Sequence, residues 1–211
     1  RGGMAEVYQA FDTRLERYVA LKVIRSGLAD AGFLKRFERE AKALAKLSHP
    51  NIVHIIDYGD QENQPFLVME YVSRGTLRDL IGKPMPPAQA ARWLAPVACA
   101  LDYAHQRKIV HRDVKPANVL ISQGNIPMLS DFGIAKMIET EESLDLTGSG
   151  TIGTPEYMAP EQVKNRSIDP RSDIYSLGIV FYEMVTGQKP FRGETALGTA
   201  LMHLTDPLPN P

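Results

Sequence analysis

The sequence predicts an α+β fold with two lobes, a small β-rich lobe with one key helix and a larger, mainly helical lobe. Two observations support this fold class. Before about residue 71, four segments have strand-like patterns and one amphipathic helix interrupts them, whereas helical patterns dominate afterwards. With 211 residues, 44% of them hydrophobic, the chain is long enough to fill such a core. A cleft between two lobes is a common site for a ligand.

The small lobe is predicted from the order of its segments. The strand-like segments are EVYQAF, YVALKVI, IVHIIDYG and FLVMEYV. The amphipathic helix lies between the second and third of them, from about Phe33 to Leu47. We therefore assign residues 1–70 to the small lobe, 71–76 to a connector and 77–211 to the large lobe.

Two helices define the large lobe. Leu94, Val97 and Leu101 recur at helical spacing, although Pro96 should kink this helix or end its first segment. From residue 174 to residue 185 the sequence is apolar almost all round and stops at Gly187, which is typical of a buried central helix.

Charge and cysteine content exclude several classes of protein. Lys and Arg number 24 against 25 Asp and Glu, so the basic excess of nucleic-acid and membrane-surface proteins is absent. No apolar run reaches the roughly 18 residues that a membrane span needs. We expect neither nucleic acid as a partner nor membrane contact by this segment. Cys99 cannot form an internal disulfide, which fits a reducing compartment, and its apolar neighbours favour a core position.

Two charged residues of the small lobe stand among apolar ones. Lys22 lies in VALKVI, on the same strand face as Ala20, and Glu40 lies on the apolar face of its helix, three residues after Phe37. Burying either charge alone is very costly. We predict that the two side chains pair, with the ammonium also free to hold an anionic ligand. The alternative is that each side chain reaches solvent.

The N-terminal stretch RGGMAEVY contains two consecutive glycines before a strand. Gly2 and Gly3 would let the backbone approach a ligand and present its N–H groups to phosphate oxygens. The signal is weak alone, since glycine pairs also mark plain hairpin turns.

The segment IVHRDVKPANVLI, Ile109 to Ile121, places five polar residues between two short apolar runs. Runs of this length are typical of buried strands, so we predict a charged loop held rigidly at the end of a core. An ordinary solvated turn is the alternative.

Further motifs follow this loop in a fixed order. HRD at 111–113 with Asn118 precedes DFG at 131–133 and APE at 159–161, and VALK with an isolated helical Glu40 comes before them. In order and spacing this set resembles the protein-kinase signature. Over the whole chain, the sequence is identified as a eukaryotic-like (Hanks-type) serine/threonine kinase domain, most similar to the bacterial members. The resemblance implies the bilobal protein-kinase fold.

The resemblance also implies catalytic roles. Asp113 would orient the substrate hydroxyl and accept its proton, and Lys115 would steady the transferred phosphate. Lys22 and Glu40 complete the implied catalytic set. His111 would pack the loop rather than act as a base.

The implied metal ligands are Asn118 and Asp131, an oxygen pair suited to a hard cation such as Mg²⁺, with Mn²⁺ as an alternative.

The resemblance also implies a role for Asp173. Its counterpart in the family caps the helix and binds the backbone of the HRD loop.

The implied nucleotide pocket takes residues from both lobes. Val7, Ala20, Met69 and Leu120 match the apolar sandwich around adenine, or are plain core. The backbone of Glu70 and Val72 matches the connector that binds the purine edge, and Gly2 and Gly3 match the phosphate-binding loop.

Two departures from the family pattern stand out. The first glycine of the loop is absent, with Ala5 in place of the third, and the sequence stops before the family's final helices. In the family, those helices supply an arginine that pairs with the residue corresponding to Glu161. We therefore expect Glu161 to lack this arginine partner. We interpret the chain as a truncated kinase domain.

A regulatory prediction concerns the long stretch between Asp131 and Glu161, which is too long for a passive connection. Its LTGSGTIGT sequence mixes hydroxyls with glycines, and Arg112 would carry an unneutralised charge nearby. The predicted phosphorylation sites are Thr147 first, then Thr151 and Ser149. Thr154 is excluded because its match lies against the catalytic loop. The alternative is a flexible linker.

The expected function is transfer of the γ-phosphate of Mg-ATP to Ser or Thr hydroxyls of proteins. A kinase-related binding scaffold without activity is the alternative, and a small-molecule phosphotransferase should lack the match of Lys115. Expected partners are protein substrates and a second kinase molecule for trans-autophosphorylation. We expect a cytoplasmic domain whose parent chain is often tethered to a membrane helix elsewhere.

Overall fold

The computed structural model describes residues 5–24, 31–133 and 154–211. Within these ranges the two-lobed α+β architecture is confirmed. No helix in these ranges combines the length and apolar character that crossing a membrane requires.

The small lobe is an antiparallel four-stranded sheet covered by one helix. Its strands are β1 (Ala5–Asp12), β2 (Arg17–Ile24), β3 (Ile55–Gln61) and β4 (Gln64–Glu70), in the order β1-β2-β4-β3. Helix α1 (Ala31–Ala45) packs against β3 and β4. All four predicted strands and the predicted helix are present.

The register of this sheet aligns side chains across its central strand. Lys22 of β2 pairs with Val7 of β1 and with Leu67 of β4. Ala20 pairs with Met69. Because directly opposed residues share a face of an antiparallel sheet, Val7, Ala20 and Met69, which are predicted to contact a nucleotide, lie on the same face as Lys22.

Helix α1 is held to the sheet by an apolar stripe. Phe33, Phe37, Ala41 and Leu44 recur every three to four residues and are all buried. Glu40 lies next to this stripe, and its side chain is only 16% exposed. Its prediction as a half-buried carboxylate is therefore confirmed.

The large lobe contains four helices and one β-hairpin in its described residues. These elements are α2 (Pro87–His105), β5 (Val119–Ile121), β6 (Pro127–Leu129), the single turn α3 (Pro160–Val163), α4 (Pro170–Thr186) and α5 (Ala196–Thr205). Helix α2 continues through Pro96 rather than ending there. The lost backbone hydrogen bond is offset by a continuous buried stripe that includes Leu94, Val97 and Leu101.

Two burial predictions in this lobe need correction. Cys99 is exposed, not in the core, because it lies two residues after Val97 and therefore off the buried stripe of α2. Helix α4 is not buried all round, since Ile174 and Phe181 are 53% and 38% exposed. These two residues lie seven positions apart and so share one face, whereas the opposite face, with Ile179 and Val180, is buried.

Backbone hydrogen bonds join the two lobes behind the cleft. Val53 N donates to Leu129 O at 2.9 Å, and Leu129 N donates to Asn51 O at 2.8 Å. The segment before β3 is thereby joined to β6. Because β6 leads directly to residue 131, this link fixes the DFG segment relative to the small lobe.

Helix α4 ends at Gly187, as predicted, and this position generates a stability test. Gly187 has a φ of 76°, and an added Cβ would lie 3.0 Å from the backbone N of Pro84. Gly187→Ala should destabilise the fold by about 2 kcal/mol, since a left-handed conformation and a close backbone contact both oppose a side chain. Chemical denaturation measures the change.

The matched control is Gly178, in the middle of the same helix, where an added Cβ meets nothing within 4 Å among the described residues. Gly178→Ala should stabilise the fold by about 0.5 to 1 kcal/mol through helix propensity. Equal effects of the two substitutions would contradict the assigned helix end.

Candidate active site

A buried carboxylate holds the polar loop that follows α2. Asp173, in the first turn of α4, is 1% exposed. Its Oδ2 accepts from the backbone N of His111 at 2.8 Å and its Oδ1 accepts from the backbone N of Arg112 at 2.8 Å. His105 Nε2 lies 2.7 Å from the same Oδ2. The predicted hold of Asp173 on the HRD backbone is confirmed, and the loop is rigidly held rather than a solvated turn. Of the two strands predicted to flank the loop only the second forms, as β5, because Ile109 and Val110 follow α2 without pairing in a sheet.

Two residues of the site have left-handed backbone conformations. Arg112 has a φ of 69° and Asp131 a φ of 58°. Such conformations are costly for residues other than glycine and persist where surrounding contacts impose them. For Arg112, the bond from its amide to Asp173 is such a contact.

His111 is a neutral structural residue of this loop. It is fully buried, and its Nε2 lies 2.9 Å from Ser130 O while Asp113 N donates to its Nδ1 at 3.2 Å. These partners require the proton on Nε2. Burial lowers the pKa of the imidazole, although nearby Asp173 opposes that shift. The prediction that His111 packs the loop is confirmed.

Asp113 lies at the centre of a hydrogen-bonded group. Its Oδ2 accepts from Lys115 Nζ at 2.7 Å and from Asn118 Nδ2 at 3.0 Å. Lys115 Nζ also donates to Thr154 Oγ1 at 3.0 Å. The loop therefore brings a carboxylate, an ammonium and an amide together and joins them to the segment Thr154–Tyr157, named here the TPEY segment. The predicted position of Thr154 against the loop is confirmed.

Lys22 reaches from the small lobe into the same site. Its Nζ donates to Asp131 Oδ1 at 2.8 Å, with 16% of the Lys22 side chain and 33% of the Asp131 side chain exposed. Met69 and Phe132 line the pocket that contains both groups. This ion pair joins the two lobes across the cleft.

The pair predicted between Lys22 and Glu40 is not formed in this structure. The Glu40 carboxylate instead accepts from Arg39 Nη2 at 2.8 Å. The argument that a half-buried ammonium needs a carboxylate holds, but Asp131 is that carboxylate. Periodicity shows on which face of β2 or α1 a side chain lies. It does not give the distance between that strand and that helix.

Asn118 and Asp131 have a donor set that suits a hard cation. Asn118 is buried and uses its Nδ2 toward Asp113, which leaves Oδ1 as the atom it can offer to a metal. Among the described residues no group of three His, Cys, Asp or Glu side chains is arranged to hold a metal. Two oxygen ligands from protein, completed by phosphate and water, are typical of Mg²⁺ sites. The residues present therefore fit this ion.

Of the remaining residues predicted to contact the nucleotide, the structure describes six and leaves the two glycines undescribed. Val7 is 57% exposed, Met69 is buried, and Ala20 and Leu120 are intermediate. Val72 is intermediate and Glu70 is exposed at the end of β4. The predicted Gly2 and Gly3, and the predicted sites Thr147, Ser149 and Thr151, lie outside the described residues.

Sequence reasoning missed a second polar cluster beneath the TPEY segment. Tyr157 donates its hydroxyl to Glu183 Oε2 at 2.5 Å, and Arg78 Nη1 donates to Glu183 Oε1 at 2.8 Å. Burial raises the pKa of the Tyr157 phenol, and the adjacent Glu183 carboxylate adds to the shift. The sequence did contain a signal for this cluster, because Glu183 is a charged residue within the apolar stretch of α4. A charge among apolar residues also identified Glu40.

A second ion pair holds this segment from its other side, since Lys189 Nζ lies 2.6 Å from Glu156 Oε1. Glu161 is not left without a partner, because it accepts from the hydroxyl of Ser172. The sequence motif identified Glu161 but not this neighbour, which lies 11 residues further along the chain.

The chain matches the protein kinase domain family over residues 1–207. It belongs to that family. Three of its similar relatives are bacterial proteins. It is 48% identical over 99% of its length to the serine/threonine-protein kinase PknB of Mycobacterium leprae. It is 46% identical over 99% of its length to the PknB of Mycobacterium tuberculosis. It is 44% identical over 98% of its length to a probable serine/threonine-protein kinase PknB of Bifidobacterium longum. The predicted membership of the bacterial Hanks-type group is confirmed.

The chain covers 35%, 34% and 32% of these three relatives, and so spans about a third of their length. Proteins of this family generally use ATP and a divalent metal ion.

The buried clamp on the HRD loop generates a second test. Asp173→Ala should destabilise the fold by about 3 kcal/mol, because it leaves two buried backbone N–H groups without an acceptor. Asp169→Ala is the matched control on the same helix, where the carboxylate accepts from Arg171 N in the exposed first turn. Loss of that cap should cost only about 1 kcal/mol. Urea denaturation compares the two, and equal losses would contradict the clamp.

Proposed function

We propose that this chain is the catalytic part of a serine/threonine protein kinase that transfers the γ-phosphate of ATP to Ser or Thr hydroxyls of proteins. One observation carries the proposal. Asp113, Lys115 and Thr154 form a single hydrogen-bonded group that connects a candidate base to the surface where a peptide would lie. The curated relatives supply the class of acceptor, since each is named a serine/threonine-protein kinase or a probable one.

In this proposal Asp113 orients the acceptor hydroxyl and takes its proton. The acceptor oxygen forms a bond to the γ-phosphorus. The bond between the γ-phosphorus and the bridging oxygen breaks as this happens, and the diphosphate leaves with that oxygen. Lys115 places a positive charge beside Asp113 and balances negative charge on the transferred group. Catalysis of this kind depends mainly on positioning and charge stabilisation.

Asn118 and Asp131 would hold Mg²⁺, with Mn²⁺ as an alternative. When bound, the metal ion supplies positive charge against the phosphate oxygens. Two carboxylates, Asp113 and Asp131, face this site, and Lys115 and Lys22 provide a cation next to each.

For the nucleotide we propose the face of the small sheet that carries Lys22. Val7, Ala20 and Met69 lie on that face, and Leu120 would close the apolar pocket from the large lobe. Gly2 and Gly3 would offer backbone N–H groups to phosphate, and the backbone of Glu70 and Val72 would bind the purine edge in the 71–76 connector region.

Lys22 and Glu40 are proposed to pair in the active state. In the structure each has another partner, Asp131 for Lys22 and Arg39 for Glu40. A rotation of α1 that brings Glu40 to Lys22 would free Asp131 for the metal ion. Kinases need the lysine–glutamate pair and the metal-bound aspartate together.

The alternative is a kinase-related scaffold that binds without catalysis. Such a protein would be expected to lack one of Lys22, Asp113 or Asp131. All three are present, and Lys22 and Asp131 form an ion pair in one pocket, which favours an active enzyme.

We also propose regulation by phosphorylation at Thr147, Thr151 or Ser149, carried out by a second kinase molecule. Arg112 supports this proposal. Its Nε is buried and finds no hydrogen-bond partner among the described residues. A phosphate with nearly two negative charges is a suitable partner for that guanidinium.

The proposed site of action is the cytoplasm, where ATP is available, with this segment as part of a longer chain. The exposed thiol of Cys99 fits a reducing compartment. A membrane anchor elsewhere in the parent chain is part of the same proposal, and it rests on the family resemblance and on the greater length of the relatives.

Different roles are expected for the two aspartates. With the full-length protein, labelled ATP and a generic basic protein, label should appear on serine and threonine. Asp113→Asn should lower turnover about a hundredfold or more with nucleotide binding retained, since it removes the base. Asp131→Asn should weaken nucleotide affinity and shift the Mg²⁺ dependence together.

Phosphoamino-acid analysis and nucleotide titrations at several Mg²⁺ concentrations measure these effects. Asp102→Asn is the control, since this exposed carboxylate lies on α2 and contacts Gln106. Label on tyrosine alone, or identical profiles for the two site variants, would contradict the assigned roles.

The regulatory proposal has its own test. Changing Thr147, Thr151 and Ser149 together to alanine should lower the activity of autophosphorylated full-length protein several-fold, because the phosphate that orders the loop is lost. Mass spectrometry should find phosphate between residues 134 and 153. Full activity of the triple variant, or no phosphate in that range, would rule out the switch.

A further inference from the structure

A buried histidine lies under the TPEY segment, on a helix that the catalytic assignment does not use. His203 of α5 is 6% exposed. Helix α5 packs against the 3-10 turn Pro155–Tyr157, which is most of the TPEY segment. The same segment is connected to the base through Thr154 and Lys115. A group on α5 can therefore act on the candidate peptide surface without touching the nucleotide cleft.

Contacts with two aromatic residues hold the ring of His203. Its Nδ1 lies 2.8 Å from the hydroxyl of Tyr175 on α4. The ring meets Phe191 edge to face at 4.7 Å between centroids, and Tyr175 at 5.7 Å. These contacts leave the ring in one orientation, with Nε2 directed away from Tyr175.

The protonation state of this ring follows from its surroundings. Burial lowers the pKa of His203, so the imidazole is neutral near pH 7. Burial also raises the pKa of Tyr175 to about 12, so its phenol keeps the proton. The phenol can donate to Nδ1, and the single ring proton then lies on Nε2.

That Nε2 has no hydrogen-bond partner of good geometry among the described residues, although it is fully buried. The backbone carbonyls of Pro155 and Glu156 act on the ring as weak hydrogen-bond acceptors, which raises the pKa of His203 against the larger effect of burial. A buried donor whose acceptors are poorly aligned is unfavourable, so a small shift of the carbonyls that improves the alignment would be stabilising.

We propose that His203 is a positioning residue for the protein substrate. Its Nε2–H donates to the backbone carbonyls at Pro155 and Glu156 when the TPEY segment takes the position that accepts a peptide. In the structure this contact lacks good hydrogen-bond geometry, and in the peptide-bound state it becomes a well-aligned hydrogen bond. Peptide binding and closure of this bond therefore stabilise each other.

The Glu156 side chain is not the acceptor in this proposal, because Lys189 holds it at 2.6 Å. The inference rests on the proposed protein-kinase function, since it assigns the TPEY segment to the peptide.

Two substitutions of His203 in the full-length protein distinguish the effect of the Nε2–H donor from the effect of the aromatic ring. His203→Phe keeps an aromatic ring and removes the donor, and should raise KM for a peptide substrate about three- to tenfold, the worth of one hydrogen bond. KM for ATP should not change. His203→Gln can still donate from its amide and should recover most of the peptide affinity. Leu201→Ala, an exposed position on the same helix, is the control.

Thermal unfolding of each variant identifies any loss that comes from misfolding alone. An unchanged peptide KM in a folded His203→Phe protein would overturn the proposal, as would equal changes in the two KM values. If the wild-type protein transferred no phosphate to any protein, the proposed function would fail instead.

Imidazole ¹⁵N NMR of the wild-type protein tests the proposal without activity. The expected result is the Nε2–H form of His203, with its proton signal moving downfield and exchanging more slowly when peptide is added. The Nδ1–H form, or no change at saturating peptide, would overturn the proposal.

Discussion

The buried carboxylate of Asp173 is the interaction on which the rest of the site depends. It accepts two backbone N–H groups from a loop that has no regular secondary structure of its own. The loop then presents Asp113 and Lys115, and Lys115 reaches the TPEY segment at Thr154. A helix start in the large lobe thus fixes the candidate base and the candidate peptide surface together. Both can be in place whatever the position of the small lobe.

The small lobe contributes the part of the site that can change. Lys22 binds Asp131, and Glu40 binds Arg39. In the proposed active state Glu40 would exchange Arg39 for Lys22, and Asp131 would exchange Lys22 for a metal ion. Each carboxylate has a cation in both states, so neither state leaves a charge buried alone.

Local patterns were sufficient for the small-lobe elements, for the two long helices of the large lobe and for the polar residues of the motifs. The strands, α1 and the end of α4 at Gly187 follow from periodicity and capping, because these depend on neighbours a few residues away. The partner of Lys22 did not follow, since it depends on how α1 and the DFG segment meet in space. The contacts of Glu183 with Arg78 and of His203 with Tyr175 join residues 105 and 28 positions apart, and no single stretch of sequence contains either.

Native-state hydrogen exchange at the backbone amides of His111 and Arg112 tests the central role of Asp173 most directly. Both amides lie outside any helix or strand, so loop position alone predicts rapid exchange. If Asp173 clamps the loop, the two amides should exchange as slowly as those in the buried middle of α2, with and without nucleotide. Exchange at the rate of an exposed loop would contradict the account.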